Sequence, residues 1–395
     1  MAAKTRILTL NNIAKVGLVR LPEAHYEVGS KVADPDGILV RSHDMHSFDI
    51  GPRVQAIARA GAGTNNIPVK AMSARGVPVF NTPGANANAV KELVIAGMLM
   101  AARNLPAAMR FVDGLNGDDD ALNKLVEDGK KNFAGVELPG NTLGVIGLGK
   151  IGSLVADAAI KLGMNVLGYD PHITVDAAWG LPSQVRKANS VEEVLKAADF
   201  VTLHVPFVEA TKNLVNADRL ALMRSHAILL NFSRDGIVDN AAVLAALGGK
   251  KLRAYVCDFP AQALLRQAGV IAMPHLGAST REAEDNCAIM VADQLRDYLE
   301  HGNIRNAVNF PDVVMERESQ YRVGIANSNV PNMLGQISTA MADAGLNIHN
   351  MLNKSKGEMA YTLVDVDSEV PAAVIDRIAA IKGVLAVRSL PLRTA

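Results

Sequence analysis

The sequence predicts an α/β fold built on a doubly wound parallel sheet and followed by a small α+β domain. Between residues 142 and 274, near-continuous Val, Ile and Leu runs alternate with helical patterns. Such runs are typical of parallel strands that helices cover on both faces. A looser alternation of the same kind occupies about the first 80 residues, and the last 75 residues read as strand, loop, helix, two strands, helix and strand.

The individual elements follow from the apolar runs and the glycines between them. The predicted central strands are "TLGVIG", "MNVLGY", "DFVTLHV", "AILLNF", "RAYVC" and "VIAM", with helices over 151–163, 191–198 and 239–247. In the first part of the chain, "GILVRS", "VQAIARAG" and "VPVFNTPG" are predicted passages from strand to loop. Alternating strands and helices of this length indicate βαβ units.

Two further helices bear on the domain organisation. The apolar stretch 88–105 predicts a helix too hydrophobic to face water alone, so we expect it to be buried between domains or subunits. Residues 281–301 predict a helix that returns the chain to the first domain, and "NIRNAVNFPD" reads as a linker. We therefore expect a discontinuous domain over 1–87 and 282–310, a nucleotide domain over 88–281, and a C-terminal domain over 317–395.

Composition excludes several classes of function. The 395 residues contain 40 Lys plus Arg and 40 Asp plus Glu, so no broad field attracts nucleic acid or an acidic membrane. Apolar residues make up 49% of the chain, enough for a core in each domain. Cys257 and Cys287 suggest buried thiols in a reducing compartment rather than disulfides. With no evident signal peptide, apolar span or metal-ligand spacing, we expect a cytoplasmic protein that binds small molecules or copies of itself.

A glycine motif indicates a dinucleotide site. In "GVIGLGKIG", Gly147, Gly149 and Gly152 follow a predicted strand and precede a predicted helix. That order allows a tight turn, close approach of a pyrophosphate to the backbone, and packing of helix on strand. Asp170 lies 18 residues after Gly152, where a carboxylate accepts hydrogen bonds from the adenosine ribose. No arginine follows Asp170 to receive a 2′-phosphate, so NAD is favoured over NADP.

Two further residues follow predicted strands. Arg234, in "LLNFSRDGIVD", offers a planar fork for a carboxylate, although a surface ion pair with Asp235 explains the local pattern equally well. His275 follows "VIAMP", and a lone histidine there is more often structural than catalytic. Because parallel sheets bind ligands beyond the carboxyl ends of their strands, the glycine loop, Arg234 and His275 together favour one site.

Taken in order along the chain, the motifs resemble those of the D-isomer-specific 2-hydroxyacid dehydrogenases, and among them the 3-phosphoglycerate-oxidising members with a C-terminal ACT domain. The resemblance rests on "ARAGAGTNNI", "VFNTPGANANAV", "GVIGLGKIG", "NFSRDGIVD", "PHLGAST" and "AVNFP", and it covers nearly the whole chain. It implies a flavodoxin-like substrate domain, a Rossmann-type NAD domain and homodimers or homotetramers. It also implies oxidation of D-3-phosphoglycerate in a route to serine.

The resemblance also implies roles for individual residues. Arg234 binds the C1 carboxylate and His275 removes the C2 hydroxyl proton, while Asp258 lies near the nicotinamide carboxamide. Contacts to the substrate phosphate are implied for Arg41, Ser42 and Arg59, although each arginine alone reads as surface. The implied cofactor-binding residues are Gly147, Gly149, Lys150, Ile151, Gly152, Asp170, Val205, Ser233, Asp258 and Gly277.

One catalytic residue of the family is missing. The family glutamate that orients the histidine lies 29 positions after the arginine and five after the aspartate, and both counts reach Ala263. Residues 259–274 contain no Asp or Glu. His275 then works alone, or a carboxylate such as Glu282 or one from another domain reaches it, or the protein binds NAD with little turnover. We expect activity weakened by about 10²–10⁴-fold relative to an intact pair.

The tail resembles an ACT module that binds an amino acid. The family run Asn-x-Pro-Gly-x-Leu reads "NVPNML" here, so Asn329 matches and Asn332 replaces glycine. Asn tolerates positive φ, so the loop is expected to survive. Asn347 matches a second asparagine that contacts serine in regulated relatives, and Asn327 stands where they have histidine. Feedback by L-serine and a purely architectural role are equally compatible with these residues.

Two other functions stay open on the sequence alone. The first is a reductase of unphosphorylated 2-oxo acids such as glyoxylate or hydroxypyruvate. The second is an NAD-sensing binding protein whose catalysis has decayed, which the missing glutamate at Ala263 favours and which Arg234 and His275 disfavour.

Overall fold

The computed structural model describes residues 4–392, which form two compact units. The first unit combines residues 4–86 with residues 281–392, and the second unit consists of residues 87–280. No helix within the described residues is both long and apolar enough to span a bilayer.

The amino-terminal part of the first unit is a five-stranded parallel sheet of order β2-β1-β3-β4-β5. Its elements are β1 (Thr5–Leu10), α1 (Lys15–Leu18), β2 (Tyr26–Gly29), β3 (Gly37–Val40), β4 (Ala56–Arg59), α2 (Val69–Ala74) and β5 (Val79–Phe80). Neighbouring residues of β3 enter opposite cores, because Leu39 packs in one cluster and Ile38 in another. The sheet is thus covered on both faces, as its apolar strands require.

The second unit contains a seven-stranded parallel sheet of order β12-β11-β10-β9-β6-β7-β8. Its first elements are α3 (Ala87–Ala102), α4 (Leu105–Asp113), α5 (Asp119–Gly129), β6 (Thr142–Ile146), α6 (Lys150–Lys161), β7 (Asn165–Tyr169), α7 (Val175–Trp179) and β8 (Arg186–Lys187). The remainder are α8 (Val191–Ala197), β9 (Phe200–Leu203), α9 (Ala217–Leu222), β10 (Ile228–Asn231), α10 (Asn240–Gly248), β11 (Ala254–Cys257) and β12 (Val270–Ala272). All six predicted central strands are confirmed.

The apolar helix predicted over 88–105 packs on this unit's own sheet. Val94 and Met98 of α3 share a core cluster with Val145 of β6. A Cβ on Gly97 would come within 2.9 Å of the Phe232 ring, so glycine permits the close approach. The helix ends at Ala102 rather than at residue 105, because Asn104 adopts a left-handed φ of 53°. Burial on the sheet therefore accounts for much of the helix's apolar character.

The chain then returns to the first unit through α11 (Arg281–His301), which has the bounds predicted from the sequence. Val291 and Leu295 of α11 pack in the same cluster as Ile7 of β1. The remaining elements are β13 (Tyr321–Ser328), α12 (Met333–Ala342), β14 (Ile348–Lys356), β15 (Met359–Val366), α13 (Ala372–Ala379) and β16 (Val384–Pro391). They form an antiparallel sheet of order β14-β15-β13-β16, so the predicted βαββαβ order is confirmed.

The C-terminal sheet is packed tightly within the first unit. Arg322 and Asp365 form an ion pair of 2.6 Å with both side chains at 0% exposure. The same guanidinium donates to the carbonyls of His301, at the end of α11, and Met315, between the linker and β13. Arg388 of β16 donates to the carbonyl of Tyr298 at 3.2 Å and lies over its ring. These contacts join the linker, α11 and the antiparallel sheet.

Candidate active site

The glycine loop between β6 and α6 has the backbone geometry that its motif predicts. Gly147 has a φ of 94°, and a Cβ there would lie 2.4 Å from the carbonyl oxygen of His204. A Cβ on Gly152 would lie 2.0 Å from the carbonyl oxygen of Gly147. A Cβ on Gly149, by contrast, would meet no atom within 4 Å. The first and third glycines are thus required by packing, and the second leaves open space at the start of α6 for an anion.

Asp170 lies beside this loop, directly after β7. Its Oδ2 accepts a hydrogen bond of 2.9 Å from the amide of Leu148, and its Oδ1 accepts one of 2.9 Å from His172. These two bonds fix the carboxylate next to the glycines, which is the position that binding of an adenosine ribose requires. The loop and its acid therefore fit a dinucleotide.

The other predicted cofactor residues of this unit surround the same sheet edge. Val205 follows β9, and its Cγ1 would lie 3.1 Å from a Cβ on Gly147. The buried Ser233 donates from Oγ to the carbonyl of Leu203 at 2.6 Å. Lys150 and Ile151 begin α6, where Lys150 is exposed and Ile151 packs partly against the core.

Arg234 follows β10 and is exposed. Its Nη1 donates to the carbonyl of Ser233 at 2.6 Å, and its own carbonyl accepts from Asn231 at 3.0 Å. The Asp235 carboxylate instead accepts from the amide of Gly236. Within the described part of this unit, Arg234 forms no ion pair with Asp235, so the local alternative that the sequence allowed is not found. The guanidinium fork has donors available for a carboxylate ligand.

Asp258 follows β11 and lies beneath the loop that carries His275. It is 1% exposed, and it accepts hydrogen bonds from the amides of Leu276 at 2.7 Å and Gly277 at 2.8 Å. His275 is exposed and has a φ of 57°, a conformation that few non-glycine residues adopt. Since β10, β11 and β12 are adjacent, Arg234, Asp258 and His275 follow three neighbouring strands at one sheet edge.

Ala263 is exposed in a 3₁₀ turn over Gln262–Leu264. Within residues 87–280, no carboxylate forms a hydrogen bond or ion pair with His275, whose ring instead contacts Phe259. The orienting acid of the family is therefore absent from this unit.

The predicted phosphate contacts lie at the edge of the first sheet. Arg41 follows β3 and forms an ion pair of 2.7 Å with Glu284 of α11. Arg59 ends β4, and its Nε donates to Asn66 at 3.0 Å. The amide of Ser42 donates to Asn11 at 2.9 Å. Sequence reasoning missed Asn11, Asn66 and Glu284, and the only local signal was an asparagine soon after a strand.

Comparisons with known proteins identify the family. The model of the D-isomer-specific 2-hydroxyacid dehydrogenase NAD-binding domain matches residues 95–277. A D-3-phosphoglycerate dehydrogenase of Haemophilus influenzae is 34% identical over 370 residues, which is 90% of this chain and 86% of the relative. The chain belongs to the D-isomer-specific 2-hydroxyacid dehydrogenase family. The resemblance to this family and the prediction of NAD as cofactor are thereby confirmed.

A second curated relative and a solved structure support the same family and fold. A D-3-phosphoglycerate dehydrogenase of Methanocaldococcus jannaschii is 35% identical over 349 residues, which is 86% of this chain but 63% of that longer relative. The NAD⁺-bound 3-phosphoglycerate dehydrogenase of Entamoeba histolytica has a TM-score of 0.60 and 25% identity, and the match covers 78% of this chain and 99% of that one. The predicted fold class is confirmed.

The C-terminal residues of this family member have partners of their own. Asn332 has a φ of 63°, so it takes the left-handed conformation expected of the residue that replaces glycine. The Asn329 side chain donates to the carbonyl of Gly357 at 3.1 Å, and the amide of Asn347 donates to Asp367 at 3.2 Å. Asn327 is 1% exposed, and its Oδ1 has no hydrogen-bond partner among residues 4–392.

His204, beside the glycine loop, was not singled out from the sequence. Its Nε2 lies 2.9 Å from the Thr202 hydroxyl, and its buried Nδ1 has no partner among the described residues. Burial lowers the pKa of the imidazole to about 3. The side chain therefore stays neutral in the folded protein at ordinary pH.

This shift predicts a loss of stability in mild acid. Below pH 6.5 the unfolded chain binds a proton at residue 204, whereas the folded chain does not until about pH 3. Stability should therefore fall as pH decreases through that window, by about 2 kcal/mol at pH 5 from this residue alone. Urea unfolding of His204→Gln at pH 7 and pH 5 should show a difference between the two pH values that is smaller than in wild type by that amount. An unchanged difference would contradict the prediction.

Proposed function

We propose that this chain oxidises D-3-phosphoglycerate at C2 to 3-phosphohydroxypyruvate with NAD⁺ as the hydride acceptor. The observation that carries the proposal is the placement of Arg234, Asp258 and His275 after three adjacent strands, at the sheet edge that also holds the glycine loop. Open parallel sheets bind ligands at that edge. The names of the Haemophilus and Methanocaldococcus relatives support the choice of substrate.

In this proposal, each group has one task. Arg234 binds the C1 carboxylate through its guanidinium fork and polarises C2. An imidazole nitrogen of His275 takes the proton of the C2 hydroxyl as the C2–H bond breaks and the carbonyl forms. When held by the glycine loop and Asp170, NAD⁺ would supply the acceptor for the hydride that leaves C2. Asp258 holds the peptide after His275 and thereby keeps the base at the sheet edge.

The phosphate is assigned to the first unit. Arg41 follows β3 and Arg59 ends β4, which are neighbours in the first sheet, and Asn66 contacts both arginines through its side chain. Two guanidinium groups and the hydroxyl of Ser42 suit a phosphate dianion. These groups are the candidate phosphate contacts of the first unit.

A steady-state assay tests the proposal. D-3-phosphoglycerate with NAD⁺ should yield NADH absorbance, and 3-phosphohydroxypyruvate with NADH should be reduced. Preference for glyoxylate or hydroxypyruvate would replace the proposal with the reductase alternative. NAD binding with no turnover of any of these substrates would favour the NAD-sensing alternative.

The ion pair between Glu284 and Arg41 favours an unphosphorylated substrate, because the Glu284 carboxylate already neutralises the Arg41 guanidinium. Removing that charge should strengthen phosphate binding. We expect Glu284→Gln to lower KM for D-3-phosphoglycerate about three- to tenfold with little change in kcat. KM for hydroxypyruvate, which lacks the phosphate, should not change.

Asp285→Asn provides the matched control, since it removes one negative charge from the same turn of α11 and Asp285 has no hydrogen-bond or ion-pair partner among the described residues. A higher KM for D-3-phosphoglycerate in Glu284→Gln would show that Glu284 supports the Arg41 conformation rather than competing with phosphate.

We further propose that L-serine binds the C-terminal domain and lowers activity, with Asn329 and Asn347 as contacts. The βαββαβ order and the left-handed Asn332 support this assignment. Millimolar L-serine should reduce the initial rate and give heat in a calorimetric titration, and Asn347→Ala should weaken both effects. No heat and no inhibition would leave the domain with an architectural role, and D-serine is the control ligand. We also expect the protein to assemble as a dimer or tetramer.

A further inference from the structure

His275 lies on a backbone that two hydrogen bonds hold in an uncommon conformation. The amides of the next two residues donate to the two oxygens of Asp258, at 2.7 and 2.8 Å. Because the Asp258 carboxylate is 1% exposed, water competes little for those bonds. These bonds fix the backbone from which the His275 side chain projects, but they leave the side-chain torsions of His275 free.

Phe259 restricts those torsions. It follows Asp258 directly, and its ring centroid lies 5.0 Å from that of the His275 imidazole with an interplanar angle of 59°. The Phe259 carbonyl accepts from Cys257 Sγ at 3.7 Å, and the residue is itself half-buried. Tilted ring pairs at such distances attract each other by about 0.5–1.5 kcal/mol. One side of the imidazole is therefore packed while the residue as a whole stays exposed.

We propose that Phe259 is a positioning residue for His275 and holds the imidazole in the orientation that an acid would otherwise impose. The inference rests on the proposed role of His275 as the base. A carboxylate both orients a histidine and stabilises its protonated form, whereas an uncharged ring orients it and stabilises the charge only weakly. Phe259 thus supplies the geometric half of the missing residue's task.

Three variants test this role. Phe259→Ala should lower kcat about 10- to 100-fold, because a base that rotates freely is seldom aligned with the hydroxyl proton. Its KM for D-3-phosphoglycerate and its Kd for NAD should not change. Phe259→Tyr keeps the ring and should retain the wild-type kcat. Trp179→Ala, which removes an aromatic side chain that is 85% exposed in the same unit, should have no effect.

A wild-type kcat in Phe259→Ala would overturn the proposal. So would a loss of kcat in Phe259→Ala that is accompanied by weakened NAD binding and is not restored by Tyr, since that pattern indicates a purely structural role.

A spectroscopic readout separates this inference from the proposed function. The imidazole carbon-bound protons of His275, assigned with His275→Asn, should show a ring-current shift in wild type that disappears in Phe259→Ala. If they do, while wild type turns over none of the substrates, the contact stands and the proposed reaction is wrong. If the signals are the same in both proteins, the ring does not hold His275.

Discussion

Replacing His275 with Asn is expected to lower kcat for D-3-phosphoglycerate oxidation by about 10²–10⁴-fold, the usual contribution of a general base. Asn is the suitable replacement, since residue 275 has a φ of 57° and Asn tolerates that conformation better than Ala. The Asp258 bonds to residues 276 and 277 involve only backbone amides, so they should survive. Steady-state kinetics and the Kd for NAD measure the outcome.

His226→Asn is the control for this prediction. His226 precedes β10, at the opposite end of the strand from Arg234, and it contacts Asp199. Its replacement should leave kcat unchanged. If His275→Asn retains full activity with unaltered NAD affinity, another group removes the proton and the proposed mechanism is wrong.

Introducing the family glutamate by Ala263→Glu is expected to raise kcat by about 10²-fold, the lower end of the general acid/base range. Residue 263 is exposed in its 3₁₀ turn, so the larger side chain meets no steric barrier from burial. A carboxylate beside the imidazole favours its protonated form. As the pH is lowered, His275 then becomes protonated, and inactive as a base, at a higher pH than in wild type. The acid limb of the pH–rate profile should therefore move to higher pH.

Ala263→Gln separates charge from shape in this experiment. Glutamine has the size of glutamate but no charge, so it should give neither the gain in kcat nor the shift of the acid limb. Gln262→Glu places the same charge one residue away in the same turn. No change in kcat or in the pH–rate profile of Ala263→Glu would remove residue 263 as the vacant position.

The sequence predicted the elements whose signal is local. Strands β9, β10 and β11 are buried at every residue, so their sequences are predominantly apolar runs. The glycine loop was equally predictable, because the steric demands at Gly147 and Gly152 leave no other residue type. The long α11 has polar and apolar positions in helical order from its first residue to its last.

Features that depend on contacts between distant segments were not predictable. Glu284 reaches Arg41 across 243 positions of the chain, and no local pattern marks that pairing. The Asp258 carboxylate accepts hydrogen bonds from backbone amides that lie 18 and 19 positions later in the chain, and backbone amides carry no sequence signal. The contact of Phe259 with His275 depends on how two neighbouring strands end. The sequence therefore indicated candidate residues that follow neighbouring strands but not the contacts that hold them.

The buried pair of Arg322 and Asp365 limits where a segment of this chain can be exchanged for the corresponding segment of a homologue. The Arg322 guanidinium pairs with Asp365 of β15 and also donates to carbonyls of His301 at the end of α11 and of Met315 before β13. A tail borrowed from a homologue brings both residues 322 and 365 with it, but a tail without an arginine at position 322 would leave the carbonyls of His301 and Met315 without that donor, unless residues 301–316 were transferred with it. Recombination is thus expected to respect a boundary inside α11 rather than one at the start of the antiparallel sheet.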